Sequence, residues 1–416
     1  MTAYRRISAC RICGSKHLEP VLDLGEQTLT GVFPRAAGAD PTRGPLRLVK
    51  CATSEHACGL VQLEHTYDAS EMYGENYGYR SGLNASMVRH LQAKVRRILD
   101  ILTVGAGDLV LDIGSNDGTT LSAYPQSGAT LVGIDPTGLK FKRYYPEHVQ
   151  LVPEFFSVGT LAANFPQRQA KVITSFSMFY DLESPLQFMR EIREALAQDG
   201  IWVFEQSYLP SMLESNSYDT VCHEHLEYYA LKQIHWMARR AGLKLLDVEF
   251  NDVNGGSFSV LAARAESKRQ PSGTIERVLQ EEGAKELDSL APYEAFRVRV
   301  RESRAALRDF LVNVRQRGER VCALGASTKG NVILQYCGVT PEQIESVGEV
   351  NEEKFGRYTP GTRLPILAED EVLASAPDYL LVLPWHFRKF FATNRRFAGR
   401  KLVFPLPTLE VVSVPA

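Results

Sequence analysis

Leu109-Val110-Leu111-Asp112-Ile113-Gly114-Ser115-Asn116-Asp117-Gly118-Thr119-Thr120-Leu121 is the stretch on which the fold turns. Apolar, β-favouring residues run into a glycine turn, and the polar run from Ser115 to Thr120 reads as the opening of a helix. A strand, a Gly-rich loop and a helix start are therefore expected, with a small ligand over the loop. About twenty residues on, Thr130-Leu131-Val132-Gly133-Ile134 reads as a second strand and ends in Asp135, placed to hydrogen-bond ribose hydroxyls. A dinucleotide fingerprint would need glycine where Asn116 stands, so that the backbone could close on a pyrophosphate. Asn116 and Asp117 put polar side chains there instead, which suits a ligand with an amino-acid end and an adenosine end.

The stretch resembles motif I of the class I S-adenosylmethionine (SAM) methyltransferases. That resemblance implies SAM contacts from Asp112, Gly114, Asn116, Asp117 and Asp135, with Phe155 added to the same set. The order of the following segments agrees with it. Val172 to Phe176 reads as a strand, Pro185 to Leu196 as a helix, Asp199-Gly200 as a turn and Ile201 to Glu205 as the next strand. His235-Trp236-Met237 is expected to begin an amphipathic helix. Leu243 to Phe250, with Gly255 to Leu261, reads as the hairpin that closes such a core. Upstream, Met87, Leu91, Val95, Ile98 and Leu99 give a helix over Ser86 to Leu102.

With 416 residues the chain is long enough for two or three domains, and 44% hydrophobic, 23% charged and a net charge of -2 describe an ordinary soluble protein. No basic excess argues for nucleic acid, no run is long enough for a membrane span, and no signal-peptide core follows Met1, so a cytoplasmic enzyme is the default. Seven cysteines form an odd, poor disulfide set, and four of them lie near the N-terminus. Cys10 and Cys13 make a C-x-x-C knuckle followed by Gly14, and Cys51 and Cys58 form a second, wider pair. Four thiolates suit structural zinc, with His56 in the insert as an alternative ligand; a catalytic zinc would need an open position. Leu22 to Gly25, Val32 to Pro34 and Gly59 to Leu63 read as short strands.

Three further stretches carry chemistry. Met72 to Gly82 is dense in tyrosine and glycine, either a surface loop or a lid. In Cys222-His223-Glu224-His225 the helical metal spacing is absent, so acid/base work competes with a buried structural network. Beyond a charged helical connector from Thr274 to Glu319, Arg320 to Asn331 gives a second strand and Gly-rich turn, with Lys329 at a helix start suited to an anion. Strands at Ser346 to Glu349, Tyr379 to Leu383 and Leu402 to Phe404 complete a second small α/β unit.

In this order the pieces resemble the sugar 3-C-methyltransferases of deoxysugar pathways over nearly the whole chain. The resemblance implies an α/β protein with three parts. These are a zinc-binding domain (1–68), a doubly wound class I SAM methyltransferase domain (69–270), and a helical connector with a Rossmann-like domain (271–416). It implies a nucleotide-linked 4-keto-6-deoxysugar between the second and third. His225 would remove the sugar C3 proton, supported by Glu224 and Tyr79, with His223 able to share or replace that role. Arg80, Ser81, Tyr180 and Lys329 would touch substrate. The chain departs from the family pattern in Cys222 and His223 before the Glu-His pair, in Tyr180 where a histidine is usual, and in the widened cysteine pair. Methylation of oxygen or nitrogen, and a non-catalytic nucleotide-sugar binding protein, remain as alternatives. The nucleotide, the sugar and the oligomeric state are not legible.

Overall fold

A computed structural model describes residues 3–52, 57–72 and 79–415. His56 and Tyr73 to Gly78 of the tyrosine-rich stretch lie outside the described residues.

The N-terminal unit contains β1 (Tyr4–Arg6), β2 (Leu18–Thr28), β3 (Arg43–Cys51), β4 (Val61–Leu63) and β5 (His65–Tyr67). β2, β3 and β4 form an antiparallel sheet. Val32 to Pro34 is not a strand. Its neighbourhood bonds to the far end of the chain instead: Asn331 Nδ2 donates to the Thr30 carbonyl at 2.7 Å and the Tyr358 N–H to the Pro34 carbonyl at 2.9 Å. Backbone groups satisfied there have no ladder to join.

The middle unit holds β6 (Leu109–Ile113), β7 (Thr130–Ile134), β8 (Val149–Val152), β9 (Ala170–Phe176), β10 (Leu196–Ser207), β11 (Glu227–Tyr228), β12 (Leu243–Asn251) and β13 (Ser257–Arg264). Seven of these make one sheet in the order β12-β13-β10-β9-β6-β7-β8. Within it only β13 runs against its neighbours. β6 is buried on both faces because its side chains alternate between two cores. Val110 packs with Val95 and Ile98 of the helix Ala85–Ile101, while Leu109, Leu111 and Ile113 join Trp202 and Phe204 on the other side. β11 leaves this sheet and pairs antiparallel with β4, extending the N-terminal sheet.

Several expectations are corrected here. The helix after the glycine loop is only a 3-10 turn, Leu121–Ala123, because Pro125 cannot continue a helix and holds Tyr124 extended (ψ 141). Asp199-Gly200 is not a turn. It lies within β10 as a bulge between Leu196 and Ile201, where Gly200 approaches the Ala170 carbonyl so closely that a Cβ would sit 2.8 Å from it. His235 to Met237 lie inside the helix Leu231–Arg240 rather than at its start. The connector is two helices, Thr274–Ala284 and Ala291–Gln316.

The C-terminal unit contains β14 (Val321–Leu324), β15 (Val347–Glu349), β16 (Ile366–Ala368), β17 (Tyr379–Val382), β18 (Lys401–Phe404) and β19 (Glu410–Ser413). Its order is β16-β15-β14-β17-β18-β19, parallel up to the antiparallel β19. The order reverses at β14, so the loops after β14 and β17 flank a crevice at their carboxyl ends. Ser327 caps the helix Thr328–Cys337 that follows the first loop, accepting from the Gly330 N–H at 3.0 Å.

Candidate functional site

The cysteine knuckle is shaped by Gly14, whose φ of 73 only glycine adopts readily and whose N–H returns to the Cys10 carbonyl at 2.9 Å. Cys51 ends β3 and Cys58 precedes β4, and the ligand atoms of Cys10, Cys13, Cys51 and Cys58 all lie within 4.8 Å of one another. The Cys10–Cys58 and Cys13–Cys51 sulfurs are 3.5 Å apart. A tetrahedron of about 2.3 Å Zn–S bonds needs sulfurs about 3.8 Å apart, so the set fits zinc without further ligands. Arg11, inside the knuckle, is bound to the Leu63 carbonyl at 2.7 Å and to Thr66 Oγ1 at 2.8 Å, tying the metal loop to β4 and β5.

At the carboxyl end of β6, Gly114 (φ 73) donates to the Ile134 carbonyl at 2.9 Å and lies against Met178, where a Cβ would come within 3.0 Å. Asp135 accepts the Asn116 N–H on Oδ2 and the Thr137 N–H and hydroxyl on Oδ1, each at 2.7 Å. A carboxylate has about four acceptor positions, which leaves Oδ2 room for a ribose hydroxyl. This turn, its acid and the Gly-rich approach fit the adenosine part of SAM, which supplies an electrophilic methyl group when bound.

The other residues expected at SAM are otherwise engaged. Asn116 Oδ1 accepts the Ser81 N–H at 3.0 Å, its Nδ2 donates to the Tyr79 carbonyl at 3.2 Å, and Asp117 Oδ2 accepts the Gly82 N–H at 2.9 Å. Arg80 lies 3.8 Å from Asp117 and stacks over Tyr144 at 4.0 Å. These two polar side chains thus fasten the end of the tyrosine-rich stretch over the loop. Asp112 is buried beneath, accepting from Thr174 Oγ1 at 2.6 Å, and burial raises its pKa to about 7. Phe155, in the loop after β8, is 68% exposed.

Glu224 and His225 follow the 3-10 turn Tyr218–Thr220. The Leu226 N–H donates to the Tyr180 carbonyl at 2.8 Å, and the Tyr180 ring lies 4.3 Å from the His225 ring. His225 Nδ1 is 2.9 Å from the Thr220 carbonyl. A carbonyl only accepts, so Nδ1 carries the hydrogen and Nε2 keeps a free lone pair. Burial, with nearby Lys329, lowers this ring's pKa to about 3, so it stays in its basic form.

Glu224 stands where the three units meet. Its Oε1 lies against Gly31, where a Cβ would come within 2.0 Å of it, and the same space is bounded by Thr328 of the C-terminal unit. Its Oε2 has no hydrogen-bond partner among the described residues, and burial pushes its pKa up. His223 points elsewhere: fully buried, its Nδ1 3.5 Å from Thr30 Oγ1 and its ring edge-on to Tyr67 at 4.7 Å. Lys329 does not aim at its own helix terminus; its Nζ donates to the Asn254 carbonyl at 2.7 Å across the crevice. No hydrogen bond or ring contact links Tyr79 to Glu224 or His225 among the described residues.

Gly31, Gln206 and Asp219 were not singled out from sequence, and Trp385 was placed there only in a loop of the C-terminal unit, with no role. Gln206 is 1% exposed with both amide ends unpaired among the described residues, close to the carboxyl end of β10. A polar residue prolonging a buried strand at its carboxyl end is the signal that could have found it. Gly31 carries no such signal, since its neighbours come from opposite ends of the chain.

Three family models match in series: a zinc binding domain over residues 10–73, a methyltransferase domain over 84–248 and a C-methyltransferase C-terminal domain over 252–407. The chain is 28% identical over 417 residues to the C-methyltransferase NovU of Streptomyces niveus, covering 98% of each. It is also 28% identical to a tRNA U34 carboxymethyltransferase of Cronobacter sakazakii over 39% of this chain and 51% of that protein. Among solved structures, the CcbJ methyltransferase of Streptomyces caelestis has a TM-score of 0.32 at 13% identity, covering 42% of this chain and 89% of that one. The sheet order, the glycine turn and the match of the middle unit define a SAM-dependent methyltransferase that carries a four-cysteine zinc site. With the matching units on either side and the likeness to NovU over 98% of its length, the chain is similar to C-methyltransferases from end to end.

Proposed function

We propose that the enzyme methylates C3 of a nucleotide-linked 4-keto-6-deoxysugar, with His225 as the base. The observation that carries this reading is the bond from His225 Nδ1 to the Thr220 carbonyl, which leaves Nε2 free as a proton acceptor beside the crevice of the C-terminal unit. A ketone at C4 acidifies the C3–H bond. Nε2 takes that proton, and the electron pair left on C3, delocalised onto the C4 oxygen, would form the new carbon–carbon bond to the methyl group as the methyl's bond to the sulfonium sulfur breaks and that pair leaves on sulfur as a neutral thioether. Lys329 and the carboxyl of Glu224 flank this segment, the first supplying positive charge and the second a hydrogen-bonding group free on one oxygen. Tyr180 confines the imidazole from its face, while Arg80 and Ser81 belong to the segment that closes over the cofactor loop. His223 is assigned a structural role. The units follow the divisions 1–68, 69–270 and 271–416, with β11 as a strand lent by the second to the first.

The test is proton NMR of nucleotide-linked 4-keto-6-deoxysugars in heavy water with enzyme. Loss of the C3 proton signal without SAM, followed by a methyl singlet once SAM is added, is expected from the native enzyme, and His225→Asn is expected to abolish both. Methyl transfer to oxygen or nitrogen with no exchange at C3 would overturn the reading.

A further inference from the structure

The base is held by a backbone carbonyl, and the turn that carries that carbonyl is held by a side chain from another unit. Thr220 closes the 3-10 turn Tyr218–Thr220, and its carbonyl accepts from both His225 Nδ1 at 2.9 Å and the Tyr228 hydroxyl at 3.3 Å. The adjacent residue in that turn, Asp219, is 1% exposed. Its Oδ2 accepts from Trp385 Nε1 at 2.9 Å, and its Oδ1 has no partner among the described residues. Trp385 lies in the 3-10 turn Trp385–Phe387 just after β17, at the crevice where the strand order of the C-terminal unit reverses. The turn is also braced by the helix Thr328–Cys337, through Tyr218 Oη and Cys337 Sγ at 3.8 Å.

We propose that Trp385 is a positioning residue for proton abstraction. Its indole N–H fixes Asp219, and with it the Thr220 carbonyl that sets the tautomer and orientation of His225. The base is then competent only when the C-terminal unit is correctly seated on the methyltransferase unit. A buried carboxylate tolerates few arrangements once a donor is lost, because each unpaired oxygen forfeits its solvation. Removing the indole N–H therefore takes from Asp219 its one side-chain hydrogen bond among the described residues.

This inference rests on the reading of His225 as the base, and the experiment separates the two. The full-length enzyme is mixed in heavy water with a nucleoside-diphosphate 4-keto-6-deoxyglucose, and C3–H exchange is followed without SAM. Trp385→Phe keeps an aromatic ring, smaller than the indole, and loses the N–H. It is expected to slow exchange about ten-fold or more, with SAM affinity unchanged by calorimetry. In 15N-histidine-labelled protein, the His225 ring signals are expected to move from a single Nδ1–H tautomer to a mixture. Asp219→Ala removes the same bond from the other side and should match Trp385→Phe. Asp219→Asn keeps an oxygen to accept from Trp385 and should recover most of the exchange. Native exchange and a native tautomer signal in Trp385→Phe or Asp219→Ala, with exchange lost in His225→Asn, would overturn the role of Trp385 alone. Native exchange in His225→Asn would overturn the base assignment and this inference together.

Discussion

Two histidines two positions apart end in unlike surroundings. His225 faces Tyr180 with a free Nε2, whereas His223 is sealed beside Tyr67 and Thr30. Burial lowers the pKa of His223 to about 3, against about 6.5 in an unfolded chain. Between those values the unfolded chain binds a proton that the folded one does not, so this histidine's contribution falls as pH drops through that window. From about pH 7 to about pH 5 the loss is about 2 kcal/mol. Asp112, raised to about 7, works in the opposite direction over part of the range, so the difference from a variant isolates the histidine. Urea unfolding should show the stability gap between the native protein and His223→Gln shrinking by about 2 kcal/mol over that interval; a constant gap would show that the ring is not held neutral. The sequence placed both histidines as candidates for one role. It could not separate them, because what seals His223 is Thr30 and Tyr67, more than 150 positions upstream.

The segment Tyr79 to Gly82 is the clearest case at the scale of an element. Its backbone N–H groups are gripped by Asn116 and Asp117, and a Cβ on Gly82 would meet Asp117 Oδ2 at 2.6 Å. Gly82→Ala should therefore displace the segment from the cofactor loop and weaken SAM binding about five- to ten-fold in a calorimetric titration, with zinc content unchanged. Unchanged SAM affinity would mean that the segment is only a covering. The strands at 109–113 and 130–134 were legible, because apolar runs ending in a glycine or an acid have few alternatives, and those at 172–176 and 243–250 were legible from their β-favouring residues. The helix after Thr120 was not, because Pro125 cuts it to one turn. Val32 to Pro34 reads as a strand locally and is overruled by Asn331 and Tyr358.

For the whole molecule, the three units are interlocked rather than strung together. Gly31, Glu224 and Thr328 share one space, and Leu63 N–H donates to the Leu226 carbonyl at 2.8 Å, next to His225. Zinc loss should consequently be felt beyond its own unit. Metal analysis should give about one zinc per chain, and a strong chelator should lower Tm by roughly 10 °C while slowing C3–H exchange. A metal-free protein with native Tm and exchange would refute the structural zinc. The cysteine pairs and the order of the units could be read from sequence; the junction could not, since it exists only after folding. The loan of β11 to the N-terminal sheet has a consequence for synthesis. As the chain leaves the ribosome, β4 emerges first and presents an unpaired edge until residue 228 is free to cover it. Throughout that interval the nascent zinc unit is unfinished, and it is then that a holdase has its opening and a like edge from a neighbouring nascent chain its opportunity.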